Sequence, residues 1–382
     1  MDFLLHFTVR AFNGHNEALL LSHAFPSTQS VAARPDFLDP SGAVSRLDAS
    51  KWVRNPEFCR GEIKMHLQAT LISGFCFLMA TLPIPRTLSA QQKEAATGAP
   101  VHMVVSVEPK HGNEVPTITQ QDVIVNQGHD RRPVTGWVPA TGDRAGVELA
   151  ILIDDSAGFS FGSQMDDIRT FITEQAPATL IAVGYMQNGT VFLAQNFTQD
   201  HAAASKSLRL PQGFIGAEAS PYFSLADFIK KWPSNPSVLR REVLMITSGI
   251  DTFYGGGYPD PYVDTAIKEA QCAGIVVFSI YTPGSGHFAH TYWRIYWGQN
   301  YLAQLSEETG GESYYFLGGE APVAFQPYLN QMSSRLTHQF LLTFLAKPQN
   351  KAGTESVKVS SEIRDVDLIA PDKVCVPASQ EH

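Results

Sequence analysis

Charge is scarce in this chain. Of 382 residues only 17% are Asp, Glu, Lys or Arg, against 44% hydrophobic, and the balance is acidic, with a formal net charge of −9. A nucleic-acid surface needs Lys and Arg gathered on one face. No such cluster stands out, so nucleic acid is excluded as a partner. Cysteine is equally sparse: Cys59, Cys76, Cys272 and Cys375 show no C-x-x-C spacing, which leaves out a zinc knuckle and a thioredoxin-type pair. No G-x-G-x-x-G follows a strand, no G-x-x-x-x-G-K-[ST] occurs, and Gly255-Gly256-Gly257 runs into Tyr258-Pro259 as a surface loop does. Nucleotide binding is excluded with it. There is no internal repeat and no low-complexity tract. What remains is an apolar fraction large enough for a substantial core, with room for one large domain plus additions.

The segment 65–90 reads as a secretory signal. Residues 69–82 are apolar but too short to span a bilayer comfortably, and Leu88-Ser89-Ala90 follows as a small-residue cleavage site. A signal belongs at the N-terminus, and residues 1–64 carry no sustained helical or strand period. They are read as a non-native extension, with translation starting at Met65 or a nearby upstream codon. The opposing readings are a buried helix or an uncleaved anchor. Export predicts a secreted, periplasmic or cell-envelope protein with no stable membrane span after cleavage. Only Cys272 and Cys375 would then remain, free to pair in an oxidising compartment.

Residues 101–107, 122–125 and 134–138 read as strands between Gly, Pro and Asn turns, a small β module over 101–140. From 145 to 338 strands alternate with helices, the signature of an α/β fold with a mostly parallel, doubly wound sheet. Met165, Ile168 and Ile172 share one helical face; Val263, Ala266, Ile267 and Ala270 share another; Phe325, Tyr328, Leu329, Met332 and Leu336 form a third. Asn188-Gly189 between two strand-like runs predicts one antiparallel hairpin strand in that sheet. A C-terminal β segment, 339–377, is expected to pair with the N-terminal module.

Two strand ends carry the chemistry. The apolar run 149–153 stops in Asp154-Asp155-Ser156, and the run 244–246 passes into Thr247-Ser248-Gly249-Ile250-Asp251. Ligands of open α/β sheets collect at the carboxyl ends of strands, and hard divalent cations such as magnesium want an oxygen shell of this kind.

These features resemble a von Willebrand factor A (VWFA) domain, and the chain as a whole is similar to the VWFA-related acidobacterial domain family over roughly 101–377. That resemblance implies a metal-ion-dependent adhesion site built from Asp-x-Ser-x-Ser, a Thr from a second loop and an Asp from a third, with a partner's acidic side chain completing the shell. Asp154 and Ser156 match the first two positions, but Gly158 replaces the second Ser. Thr247-Ser248-Gly249 stands for Thr-Asp-Gly, so a neutral hydroxyl replaces the acid, and Ser220 is the nearest counterpart of the second-loop Thr. The implied site is degenerate. Its candidate metal ligands are Asp154, Ser156, Ser220, Ser248 and Asp251, magnesium is the candidate ion, and Asp155, Ser160, His287, Tyr292 and Trp293 are candidate partner contacts. A binding or adhesion module engaging a protein partner is the function implied.

The alternative is a serine esterase. Gly158-Phe159-Ser160-Phe161-Gly162 matches G-x-S-x-G, with Asp251 and then His287, His290 or His338 following in order as acid and base. An elbow needs its strand to run straight into the motif. Here Asp154 to Ala157 intervene, and no His-Gly-Gly stretch lies upstream. The aromatic stretch 286–297 has the composition of a binding loop, with a self-packed hydrophobic insertion as its competing reading.

Overall fold

The computed structural model describes residues 98–112, 114–212, 220–233, 240–254, 259–285, 291–316, 320 and 322–379, and of Phe159 and Ser160 the backbone alone. The extension 1–64, the signal segment 65–90 and His287 lie outside the described residues.

The central layer is a six-stranded sheet. Its strands are β5 (Val147–Asp154), β6 (Thr179–Gln187), β7 (Thr190–Thr198), β8 (Arg241–Thr247), β9 (Ile275–Tyr281) and β10 (Ser313–Tyr314). They lie in the order β10-β9-β8-β5-β6-β7. β5 pairs in parallel with both β6 and β8, β9 in parallel with β8, and β7 antiparallel with β6. Every residue of β5 is buried. Leu149, Ile151 and Ile153 enter one core and Ala150 and Leu152 the other, as alternating side chains of a doubly covered strand must. The turn into β7 uses Asn188 (φ 51°) and Gly189 (φ 73°), the left-handed pair that matches strand twist in a two-residue hairpin.

Helices cover both faces. α1 (Met165–Glu174) and α6 (Gln326–Thr337) bury Ile168, Phe171, Ile172, Leu329 and Met332 against one face. A short α2 (His201–Lys206) adds Ala204 to that core. α3 (Pro221–Lys230), α4 (Pro261–Ala273) and α5 (Tyr292–Glu308) bury Tyr222, Leu225, Val263, Ile267, Leu302 and Leu305 against the other.

Two of these helices correct the sequence reading. Residues 220–224 open a helix, because the Ser220 hydroxyl accepts the Phe223 N–H at 3.1 Å and Pro221 supplies the fixed φ of a first turn. Tyr292 and Trp293 likewise sit in the first turn of a 17-residue helix and not in a loop. Exposed aromatics on its opening turn blurred the apolar period.

The remaining strands are β1 (Ala99–Pro109), β2 (Val123–Gln127), β3 (Asp130–Arg132), β4 (Val134–Pro139), β11 (Gln339–Ala346), β12 (Gly353–Ser361), β13 (Val366–Ile369) and β14 (Lys373–Val376). They form two four-stranded sheets, β13-β1-β11-β4 and β14-β12-β2-β3. Both sheets contribute to one apolar cluster containing Val105, Val125, Leu342, Phe344, Val357 and Val376. β1 runs antiparallel to β11 over eight paired residues, and β2 to β12 over five, so N- and C-terminal segments share both sheets. Arg240, at the foot of β8, donates to the Leu336 carbonyl at 2.9 Å and to Gln339 Oε1 at 2.7 Å. A disulfide joins Cys272, near the end of α4, to Cys375 in β14, with Cα atoms 4.8 Å apart.

Candidate functional site

Counted from β7 in chain order, the sheet reads 3-2-1-4-5-6, so the winding direction reverses between β5 and β8. Loops leaving those two strands diverge, and a crevice opens at their carboxyl ends. Asp154 ends β5 and Thr247 ends β8.

The two are joined directly. Thr247 Oγ1 donates to Asp154 Oδ2 at 2.7 Å, while Oδ1 accepts the Ser156 N–H at 2.9 Å and its Oγ at 2.7 Å. Asp154 is buried, and burial raises its carboxyl above the ordinary range against the opposing pull of these hydrogen bonds. Asp155 faces another way. Its carboxylate takes both Arg209 Nη atoms, at 2.6 and 3.0 Å, with Gln187 Nε2 at 2.8 Å and the Gln212 N–H at 2.9 Å. The Arg209 guanidinium also stacks on the Tyr185 ring, 3.7 Å from its centroid.

Ser220 and Asp251 make the second pair: the Ser220 hydroxyl donates to Asp251 Oδ2, and Asp251 Oδ1 accepts the Tyr254 N–H at 2.7 Å. Ser248 Oγ accepts the Ile250 N–H at 3.3 Å. Gly249, at φ +66°, lets this loop press against α5 where Gly298 also lacks a side chain; a Cβ on Gly249 would collide with the Gly298 carbonyl, and one on Gly298 with the Ser248 carbonyl. Tyr222, fully buried, donates its hydroxyl to the Gly249 carbonyl at 2.7 Å. Burial pushes that phenol well above its ordinary range, and the charges of Asp260, Asp251 and Asp154 push it further. Asp260 caps α4 by accepting the Tyr262 N–H at 2.9 Å; burial and then the Asp251 charge raise its carboxyl.

Among the described residues, four of the five candidate metal ligands fall in two hydrogen-bonded sets, Asp154 and Ser156 with Thr247, and Ser220 with Asp251, while Ser248 is in neither. Among the described residues no three His, Cys, Asp or Glu side chains gather to hold an ion. The Ser160 backbone lies in a 3-10 turn, Phe159–Gln164, that begins after β5 has ended. Tyr292 and Trp293 are exposed, 64% and 61%, beside a narrow crevice where Arg294 and Trp297 of the same helix meet Asp251 and Asp260. Arg209, Thr247, Tyr222 and Asp260 are not among the candidate site residues read from the sequence. Asp260-Pro261 could have been read as a helix start from its capping pattern; Arg209 carries no local signal.

A six-stranded 3-2-1-4-5-6 sheet whose third strand alone is antiparallel, with polar loops at the switch point, decides the architecture. The fold is von Willebrand factor A-like. Solved structures of this kind are similar to the chain at low identity. An aerotolerance-related membrane protein from Bacteroides fragilis is 13% identical, spanning 50% of this chain and 98% of its own, with a TM-score of 0.37. The VWA domain of SpRpn10 is 11% identical over 48% of this chain and 94% of its own, at 0.32. The pilus adhesin SpaC of Lactobacillus rhamnosus GG is 8% identical over 67% and 47%, at 0.35. No family model and no curated protein matches the sequence.

Proposed function

We propose that this chain is an exported, adhesion-type protein-recognition module, not an enzyme, and that its working face is the rim of the VWA-like sheet at 154–162, 220–224 and 248–254 with Tyr292 and Trp293 alongside. One observation carries this reading: hydroxyl-to-carboxylate bonds from Thr247 to Asp154 and from Ser220 to Asp251 hold three distant segments together at the switch point. Such ties set loops rigidly, which lowers the entropy lost on docking.

Magnesium fits this donor set poorly. Asp154 is the carboxylate that Ser156 bonds, both its oxygens are engaged by neighbouring hydroxyls, Asp155 is taken up by Arg209, and the Ser220 hydroxyl is committed to Asp251. An ion that needs near-ideal octahedral oxygen geometry gains little there. Recognition on this reading runs through hydrogen bonds and apolar contact. Export is supported by the 65–90 pattern and by the Cys272–Cys375 disulfide, a bond that persists in oxidising compartments.

The test is selection of a displayed random-peptide library on the purified chain, with Ser220→Ala and Asp251→Asn as controls. Peptides that bind the parent and are lost on these variants support the reading. Labelling by a fluorophosphonate probe that disappears in Ser160→Ala would overturn it in favour of a serine hydrolase.

A further inference from the structure

We propose that this face takes a basic segment of its partner, seating a lysine or arginine side chain on an aromatic cluster beside Asp251. The inference rests on the recognition-face reading above and names the chemistry of what is recognised.

Phe223, Phe253 and Tyr254 are 48%, 56% and 41% exposed. They surround Tyr262, with ring centroids 5.8, 5.6 and 6.4 Å from it, and Phe223 and Phe253 stack at 6.4 Å. Exposed aromatics that touch one another, instead of being scattered singly, form the kind of patch that marks an interaction site.

The cluster is fixed to the polar pair. The N–H of Tyr254 donates to Asp251, that of Phe223 to Ser220, and that of Tyr262 to Asp260. Three of the four rings are therefore held through their own backbone by the site's acids and their hydroxyl partner.

Two carboxylates are thereby tied to the cluster, Asp251 through the Tyr254 backbone and Asp260 through that of Tyr262. Arg209 is engaged by Asp155, and Arg294 lines the same narrow crevice as Asp251 and Asp260. An aromatic face is the negative end of a quadrupole, so these carboxylates and the exposed rings attract the same sign of charge. A cation gains from both, and a partner carboxylate from neither. The chain's net charge of −9 adds long-range attraction for a basic segment.

The peptide selection above, run with and without magnesium and at two salt concentrations, distinguishes the outcomes. Peptides rich in Lys or Arg are expected. Their affinity should fall about tenfold in the double variant Phe253→Ala/Tyr254→Ala, by a similar factor when the key lysine is replaced by norleucine, and again as salt rises. Both rings are exposed, so the variant should melt like the parent, which thermal unfolding checks. Acidic peptides that require magnesium, or peptides indifferent to the double variant but lost on Trp293→Ala, overturn the proposal and leave the recognition face standing. Peptides unaffected by every rim substitution overturn both.

Discussion

Asp154 and Thr247 stand at the ends of two adjacent parallel strands, and the threonine hydroxyl donates to the aspartate across the point where the sheet changes its winding direction. A buried carboxylate is tolerable there because neutral donors from Ser156 and Thr247 cover both oxygens.

Removing the threonine hydroxyl should expose that dependence. Thr247→Val leaves Asp154 Oδ2 short of a donor and should cost about 1–3 kcal/mol of unfolding free energy, with Thr247→Ser recovering most of it. Urea denaturation of the three proteins measures this. Equal stability of the parent and the valine variant would mean the bond contributes nothing.

Asp155 makes a sharper demand. Its partner Arg209 holds it with two hydrogen bonds, so Arg209→Met leaves a buried carboxylate without its cation. The expected loss is about 3 kcal/mol, the lower end of the range for breaking a buried pair because the guanidinium is partly exposed. A double-mutant cycle with Asp155→Asn separates the pair's coupling from the cost of the orphaned charge.

The Cys272–Cys375 bond closes a loop of 103 residues between the helix-covered sheet and the flanking strands. On the loop-entropy account, its loss should lower stability by about 4–5 kcal/mol. Thermal unfolding with and without reductant, set beside Cys272→Ser/Cys375→Ser, tests this; an unchanged melting temperature would show that the two parts hold together without it.

Glu242, deeply buried in β8, has its carboxyl pushed up to about 7 by desolvation, with Arg240 opposing. Because this group binds its proton more tightly when folded than in the unfolded chain, it adds stability below about pH 4.5 that disappears as pH rises through 7. The parent should lose on the order of 3 kcal/mol across that window relative to Glu242→Gln. Denaturation midpoints of the two proteins at pH 5 and pH 8 provide the comparison, and parallel pH profiles would remove Glu242 as the cause.

Much of the fold was legible in the residues. The uninterrupted apolar run of β5 signalled a strand covered on both faces, Asn188-Gly189 signalled the reversed strand, and the spaced apolar positions of α1, α4 and α6 signalled their buried sides. α3 and α5 were missed for one reason: each opens with aromatics of which some face solvent, Phe223 in α3 and Tyr292 and Trp293 in α5, so the hydrophobic period begins after the helix does. Capping was the better signal, since Ser220-Pro221 and Asp260-Pro261 both mark true helix starts.

Local sequence determined which segments became strand or helix, because backbone propensity and the side-chain period act over a few residues. It also placed Asp154 at the end of one strand and Asp251 shortly beyond another. Tertiary structure decided what those acids touch. Hydroxyl donors reach them from residues 31 and 93 positions away, and the Arg209 guanidinium reaches the adjacent Asp155 from 54 away, through loops whose length says nothing of their destination. Only the winding of the sheet sets Ser220 on Asp251, Thr247 on Asp154, and Cys272 against Cys375.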